Sequence, residues 1–178
     1  MKMREEVTRQ RLDLLMEQLA QEAPRRGRFR VYFVGGGTAV YAGWRNSSID
    51  VDLYSDEEVV FRNIQEIKER LGMNIEFARP EDFVPPLKGS ADRHLFITTV
   101  GRISFYHYDP YAQFLAKVVR GFQRDLDDAR EFIRSEMVAP KKLSSLVAAI
   151  PDSAYARYPH LSRGGIENAV EDFLSSMR

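Results

Sequence analysis

Cysteine is absent from the 178-residue chain, and its formal charges cancel. Without cysteine there is no disulfide, no thiolate zinc site and no cysteine nucleophile. Lysine and arginine together number 26, as do aspartate and glutamate, so no overall field marks a nucleic-acid or membrane binder. Any contact with nucleic acid must therefore be local.

Long apolar runs are missing as well. No run approaches the ~20 residues that a membrane helix needs, and the charged start, MKMREEVTRQ, has no apolar signal region. We therefore expect a cytoplasmic protein with no membrane segment. A chain of this length buries about two thirds of its unfolded surface, so a single domain over 1–178 needs no disulfide or metal for its stability.

Hydrophobic periodicity predicts helices and strands in a definite order. The predicted strands are 29–34, 48–54, 73–78, 94–99 and 103–108; the predicted helices are 4–22, 38–44, 57–71, 110–121, 123–136, 140–149 and 164–177. Strands cluster between 29 and 108, with helices before and after, which indicates an α+β fold. We divide it into an N-terminal helix and basic loop (1–28), a sheet core (29–109) and a C-terminal helical lobe (110–178).

Two aspartates stand one residue apart in the segment SIDVDLY. On a strand, Asp50 and Asp52 share a face about 6 to 7 Å apart, where both can reach one divalent cation. Mg²⁺ prefers such hard oxygen ligands. Ile49, Val51 and Leu53 form the apolar face of a central strand. The alternatives are an edge strand with a solvated face, or carboxylates paired to an arginine such as Arg45.

Three glycines, Gly35 to Gly37, follow the apolar strand and precede Thr38. Backbone N–H groups at such a turn can face an anion, which is how phosphate-binding loops work. The lysine of a Walker loop and the spacing of a dinucleotide fingerprint are both missing. The alternative is a tight turn with no ligand.

The order of these features resembles the signature of the polymerase-β-like nucleotidyltransferase superfamily. It reads Gly35-Gly36, then a helix, then Asp50-Val51-Asp52-Leu53, with Arg45 and Ser48 like the Arg and Ser/Thr that precede the acids in minimal prokaryotic members. Farther along, Lys117 and the run Arg124 to Asp128 resemble abortive-infection and toxin-type nucleotidyltransferases. The resemblance spans roughly residues 29 to 135.

The resemblance implies a mixed sheet flanked by helices and an enzyme that transfers NMP from an NTP to an RNA or protein hydroxyl. It further implies a toxin of a toxin–antitoxin pair, whose partner would be an antitoxin protein. Asp50 and Asp52 would hold Mg²⁺, or Mn²⁺ in its place. The nucleotide would be bound by the following residues: Gly35, Gly36, Gly37, Thr38, Arg45, Ser48, Lys117 and Arg120.

The superfamily usually has a third carboxylate, and this chain offers two candidates. Asp109 follows the last predicted strand, although an Asp before Pro110 is also typical of a helix N-cap. Glu76, in MNIEFA, is the second candidate. If neither reaches the metals, the protein is a nucleotide-binding or partner-binding module with weak or no catalysis.

Several charged residues have simpler interpretations. Lys117 and Arg120 can pair with Asp125 and Asp128 as surface charges. The loop PRRGRFR is either a local nucleic-acid contact or a solvated loop, through Arg25, Arg26, Arg28 and Arg30. We predict His107 to be an exposed strand residue.

Overall fold

The computed structural model describes residues 5–178, which form two compact units. The first unit comprises the described residues up to Arg79 together with Leu95–Tyr108. The second comprises Pro80–His94 together with Asp109–Arg178. No feature of the sequence indicated that Pro80–His94 groups with the C-terminal helices.

The first unit contains all the strands of the described chain, with three helices among them. Its strands are β1 (Val7–Thr8), β2 (Phe29–Val34), β3 (Ser47–Ser48), β4 (Asp50–Tyr54), β5 (Asn74–Phe77), β6 (Leu95–Val100) and β7 (Ile103–His107). Its α-helices are α1 (Arg9–Glu22), α2 (Gly36–Ala42) and α3 (Ile64–Leu71), and a 3₁₀ turn covers Glu58–Phe61.

Five of these strands form one mixed sheet in the order β5-β4-β2-β7-β6. β2 runs antiparallel to β4 and parallel to β7, β4 runs parallel to β5, and β6 and β7 form an antiparallel hairpin. β1 and β3 pair separately. The fold class is therefore α+β, with β4 in the interior of the sheet rather than at its edge.

The core of the first unit forms on one face of this sheet. Leu12, Leu15 and Leu19 of α1 are fully buried in one cluster with Val51 and Leu53 of β4. Because side chains alternate along a strand, Asp50 and Asp52 point to the opposite face. The expected alternation thus holds from Asp50 to Tyr54.

The second unit is helical. Its α-helices are α4 (Pro110–Arg120), α5 (Gln123–Arg134), α6 (Pro140–Ala148) and α7 (Arg163–Ser176), and 3₁₀ turns cover Pro80–Asp82, Ser90–Asp92 and Asp152–Arg157. Phe114 of α4 and Phe173 of α7 pack edge to face, with ring centroids 5.3 Å apart. Across residues 5–178, no helix has the length and apolar character needed to span the bilayer.

The structure corrects three local predictions. Helix α1 starts at Arg9 rather than residue 4, because Val7–Thr8 pairs with Ser47–Ser48 and the Thr8 hydroxyl caps the helix. The helix predicted over 57–71 is broken, because the 3₁₀ turn buries Val60 and Phe61 side by side before α3 begins. Ile49 is 58% exposed, because it lies between β3 and β4 rather than on the core face.

Candidate functional site

The glycine turn of the first unit lies directly against β3 and β4. Gly35 has φ +59°, a left-handed conformation that favours glycine. A Cβ on Gly35 would lie 3.0 Å from Asp52 Oδ2. A Cβ on Gly36 would lie 2.2 Å from Ser48 Oγ and 3.3 Å from the Asp50 carbonyl oxygen. The absence of these side chains brings the turn next to both aspartates.

The two aspartates are half-buried on the interior strand β4. Asp52 pairs in register with Val34, the last residue of β2 before the turn. On the other side, Asp50 and Asp52 pair with Asn74 and Glu76 of β5. Strand pairing thus puts Asp50, Asp52 and Glu76 on one sheet face, with the glycine turn beside the aspartates.

Asn74 belongs to this site, although no sequence motif marks it. Its Nδ2 group donates a hydrogen bond to Asp50 Oδ1. The signal lay in the alternation of MNIEF, which puts Asn74 and Glu76 on one face of β5. Only the parallel pairing of β5 with β4 reveals that this is the face of the aspartates.

Thr38 was predicted to bind nucleotide, but its side chain is fully buried. Its Oγ1 donates to the Phe33 carbonyl oxygen at 3.2 Å and lies 3.1 Å from His107 Nδ1. Because the hydroxyl has one proton, His107 Nδ1–H is the donor in the second bond. This network holds the start of α2 against β2 and β7.

The prediction of an exposed His107 is wrong, because the ring is 6% exposed behind Thr38 and Tyr41. Burial lowers the pKa of His107 from its ordinary value of 6.5 to about 4, and the charge of Arg9 acts in the same direction. The imidazole is therefore neutral near pH 7.

Ser48 lies against the glycine turn, whereas Arg45 follows the other end of α2. The Ser48 hydroxyl is buried and donates to the Asp50 carbonyl oxygen at 2.9 Å, so it fixes the bend between β3 and β4. Arg45 is half-buried, and its backbone N–H donates to the Ala39 carbonyl oxygen at 3.3 Å beyond the end of α2.

Asp109 lies in the second unit, and the N-cap interpretation is confirmed. Its Oδ1 accepts from the Tyr111 backbone N–H at 3.0 Å, and Pro110 is the first residue of α4. Arg93 donates to both oxygens, from Nε at 3.1 Å and from Nη2 at 2.8 Å. The fully buried carboxylate is thus held by a charged partner that the sequence did not reveal.

Lys117 and Arg120 also lie in the second unit, and the pairing predicted for them is present. Lys117 Nζ lies 2.8 Å from Asp128 and 4.0 Å from Asp125, while Arg120 binds both oxygens of Asp125. The prediction of surface charges is wrong for Lys117, Asp125 and Asp128, because all three are buried. These pairs join α4 to α5.

No cluster of three or more His, Cys, Asp or Glu side chains able to hold a metal ion occurs between residues 5 and 178. The chain has no match among protein-family models, curated proteins or solved structures. The resemblance to nucleotidyltransferases therefore depends on the residues and their arrangement alone.

Proposed function

We propose that this protein is a metal-dependent nucleotidyltransferase that transfers NMP from an NTP to a hydroxyl of an RNA or protein. One observation carries the proposal: the glycine turn after β2 lies against the Asp50 and Asp52 segment of β4. Gly35 approaches the Asp52 carboxylate, and Gly36 leaves no room for a Cβ beside Ser48. A phosphate-binding turn next to paired carboxylates suits metal-assisted phosphoryl chemistry.

The transfer needs no covalent bond between the substrate and the protein. The acceptor hydroxyl oxygen forms a bond to the α-phosphorus, the bond from that phosphorus to the bridging oxygen breaks, and pyrophosphate leaves. Mg²⁺ or Mn²⁺, when bound, neutralises charge on the attacking and leaving oxygens. The donor set fits such an ion, because Asp50 and Asp52 supply hard oxygens on one face.

Other residues would have supporting roles. Asn74 orients Asp50 through its amide, and the backbone N–H groups of Gly36 and Gly37 would bind the triphosphate. Glu76, exposed and in register with Asp52, is the candidate third acid in the first unit. We assign Glu76 the role of general base, which accepts the proton of the acceptor hydroxyl. In the wider proposal the enzyme is the toxin of a toxin–antitoxin pair, with an antitoxin protein as partner.

Label transfer tests the proposal. The protein is incubated with each α-³²P-labelled NTP and Mg²⁺ or Mn²⁺, together with total RNA or a cell lysate. We expect label on one acceptor class, loss of at least 100-fold in Asp50→Asn and Asp52→Asn, and full activity in Asp13→Asn. Asp13 is the matched control because it is an exposed aspartate of α1. No transfer from any NTP, or full transfer by Asp50→Asn, contradicts the proposal.

A second function is a nucleotide-binding or partner-binding module without efficient transfer. The contacts of Asp109 favour this second function, because both oxygens of this candidate third carboxylate accept hydrogen bonds from Arg93. This module would bind NTP saturably in calorimetry without releasing pyrophosphate. Glu76→Gln separates the two functions: in the enzyme it lowers the transfer rate and leaves NTP affinity intact, whereas in the module there is no rate to lower.

A further inference from the structure

Four aromatic rings form a row across the sheet face that carries Asp50 and Asp52. Tyr54, Tyr32, Tyr106 and Phe96 lie in register on β4, β2, β7 and β6. Successive ring centroids are 6.1, 5.6 and 5.6 Å apart. Tyr32 is buried, and Tyr108 packs edge-on against both Tyr32 and Tyr54. Tyr54 and Tyr106 are half-buried, and Phe96 is 61% exposed. The row, which we call the platform, is therefore a set of packed rings whose last member, Phe96, is exposed to solvent.

Exposed arginines accompany the row. The Arg79 guanidinium lies 5.0 Å from the Tyr54 ring centroid and donates to the Tyr54 hydroxyl at 3.1 Å. The Arg30 guanidinium lies 5.6 Å from the Tyr106 ring centroid. Planar guanidinium groups beside aromatic rings extend a stacking surface and carry positive charge.

The basic loop PRRGRFR leads into the same face through β2. The β6–β7 turn lies beside this loop, because Arg102 donates to the Gly27 carbonyl oxygen at 3.2 Å. This end of the sheet thus carries five exposed arginines: Arg25, Arg26, Arg28, Arg30 and Arg102. Acids lie here too: Asp56, which accepts from the Tyr54 hydroxyl, and Glu57 line a cavity together with Arg28 and Arg30, and Glu58 follows them on the chain.

A cavity of about 190 Å³ opens at this end, lined by Arg28, Arg30, Tyr32, Ser55, Asp56 and Glu57. It is below the roughly 300 Å³ at which sites for whole small ligands begin. It therefore suits part of a longer chain. Its walls offer two arginines, an aromatic ring, a serine hydroxyl and two carboxylates.

The platform is close to the proposed reaction centre. Tyr54 follows Asp52 by two residues, which is about 7 Å along one face of a strand. From Arg30 to Val34, the register partner of Asp52, is about 13 Å along β2. A chain that lies on the arginines and the ring row would thus bring its end to the aspartates.

From these positions we infer that the aromatic row and the arginine loop bind a single-stranded polynucleotide. Bases stack on the exposed Phe96 ring and on the open part of the half-buried Tyr106 ring, because every base has a π face, and arginines contact the phosphates. The net-neutral chain needs such a local surface to bind a polyanion. This inference rests on the proposed function for its role, which is to deliver the acceptor hydroxyl, but the binding itself needs no NTP.

Fluorescence anisotropy tests the binding without NTP. The probes are fluorescein-labelled RNA and DNA oligonucleotides of about 12 nucleotides, single-stranded or in a duplex. We expect single strands to bind more tightly than the duplex, with affinity that falls as salt rises. A preference for RNA over DNA would identify contacts to the 2′-hydroxyl, and equal binding would identify stacking and phosphate contacts alone.

Two variants probe the two halves of the surface. Phe96→Ala should weaken binding about tenfold by removing a stacking ring. Arg28→Ala with Arg30→Ala should lower the slope of log affinity against log salt by about 1.4, since each phosphate contact of a single strand contributes about 0.7. The matched controls are Phe122→Ala and Arg134→Ala, which remove an exposed ring and an exposed arginine from the second unit.

The outcomes for binding and for transfer are separable. Absence of binding at low salt, or equal effects of the variants and their controls, overturns the inference while leaving transfer to a protein acceptor intact. Transfer of label to a protein, undiminished by added oligonucleotide, overturns the assigned role of this surface in delivering the acceptor hydroxyl. Binding retained by Asp50→Asn, with no transfer by the unsubstituted protein, supports the surface and contradicts the enzyme.

Discussion

Two adjacent glycines of one turn, Gly36 and Gly37, have very different surroundings. A Cβ on Gly36 would collide with Ser48 Oγ at 2.2 Å, whereas a Cβ on Gly37 would make ordinary contacts at 3.6 Å with Phe33 and Val51. We expect Gly36→Ala to lower the free energy of unfolding by about 1 to 3 kcal/mol, because the packed turn must shift.

Urea unfolding of both variants checks this prediction. Gly37→Ala is the matched control, and it should be neutral or more stable by about 0.4 to 1 kcal/mol through a less flexible unfolded chain. Adding Ser48→Ala to Gly36→Ala should recover part of the loss by removing the colliding oxygen. Equal stabilities for the two single variants would show that the turn does not press on β3.

His107 makes stability depend on pH. Its pKa is about 4 in the folded protein against 6.5 when exposed, so the unfolded chain binds more protons between these values. The stabilisation is present above pH 6.5 and is lost as pH falls toward 4. From this residue we expect the free energy of unfolding to be about 2 kcal/mol lower at pH 5 than at pH 7.

Urea unfolding at the two pH values measures this difference. His107→Asn does not titrate, and its amide can still donate to Thr38 from near the Nδ1 position. Subtracting its pH dependence from that of the unsubstituted protein isolates the histidine. If both proteins lose stability equally, other groups cause the acid sensitivity.

At the scale of elements, the start of α4 depends on the buried Asp109–Arg93 pair. Asp109→Ala removes the N-cap and leaves a guanidinium that is 13% exposed without its carboxylate. Breaking such a pair costs about 3 to 5 kcal/mol, so we expect a loss of that size in chemical unfolding. Asp172→Ala, on the exposed face of α7, should change stability by less than about 0.5 kcal/mol.

A double-mutant cycle with Arg93→Met completes this test. Since the two side chains contact each other, their coupling energy should lie between about 0.5 and 3 kcal/mol. A coupling near zero, or an Asp109→Ala variant as stable as Asp172→Ala, would mean that the pair does not hold α4.

Elements with one strong period were predictable from the sequence. Alternation placed Asp50 and Asp52 on one face of a strand, and Asp109 before Pro110 indicated the cap of α4. The break in 57–71 was not predictable, because it follows from burying Val60 and Phe61 side by side. Contacts between distant segments were hidden too: Asn74 reaches Asp50 only because β5 pairs with β4, and Arg93 reaches Asp109 across 16 residues of chain.

At the scale of the whole molecule, a net charge of zero conceals a local cluster of arginines. The 26 basic and 26 acidic residues cancel in total. On the sheet face of the first unit, arginines gather at the start of β2 beside Asp56 and Glu57, while Asp50, Asp52 and Glu76 lie toward its end. Composition therefore excludes a strong electrostatic field over the whole protein. It does not predict a local field, because the local arrangement of charges arises only when the strands assemble.

Ligand binding should increase the free energy of unfolding of the protein. A ligand present at about 100 times its dissociation constant raises the free energy of unfolding by about 2.7 kcal/mol. For a protein of this size that is about 5 to 10 °C in melting temperature.

We expect Mg²⁺ with one of the four NTPs to give such a shift, and Asp50→Asn and Asp52→Asn to reduce it, because the metal links the carboxylates to the triphosphate. Differential scanning fluorimetry measures it, with Asp13→Asn and EDTA as controls. A purely structural role for Asp50 would instead lower the melting temperature of Asp50→Asn equally with and without the metal and nucleotide, and equal shifts in all variants would place the nucleotide elsewhere.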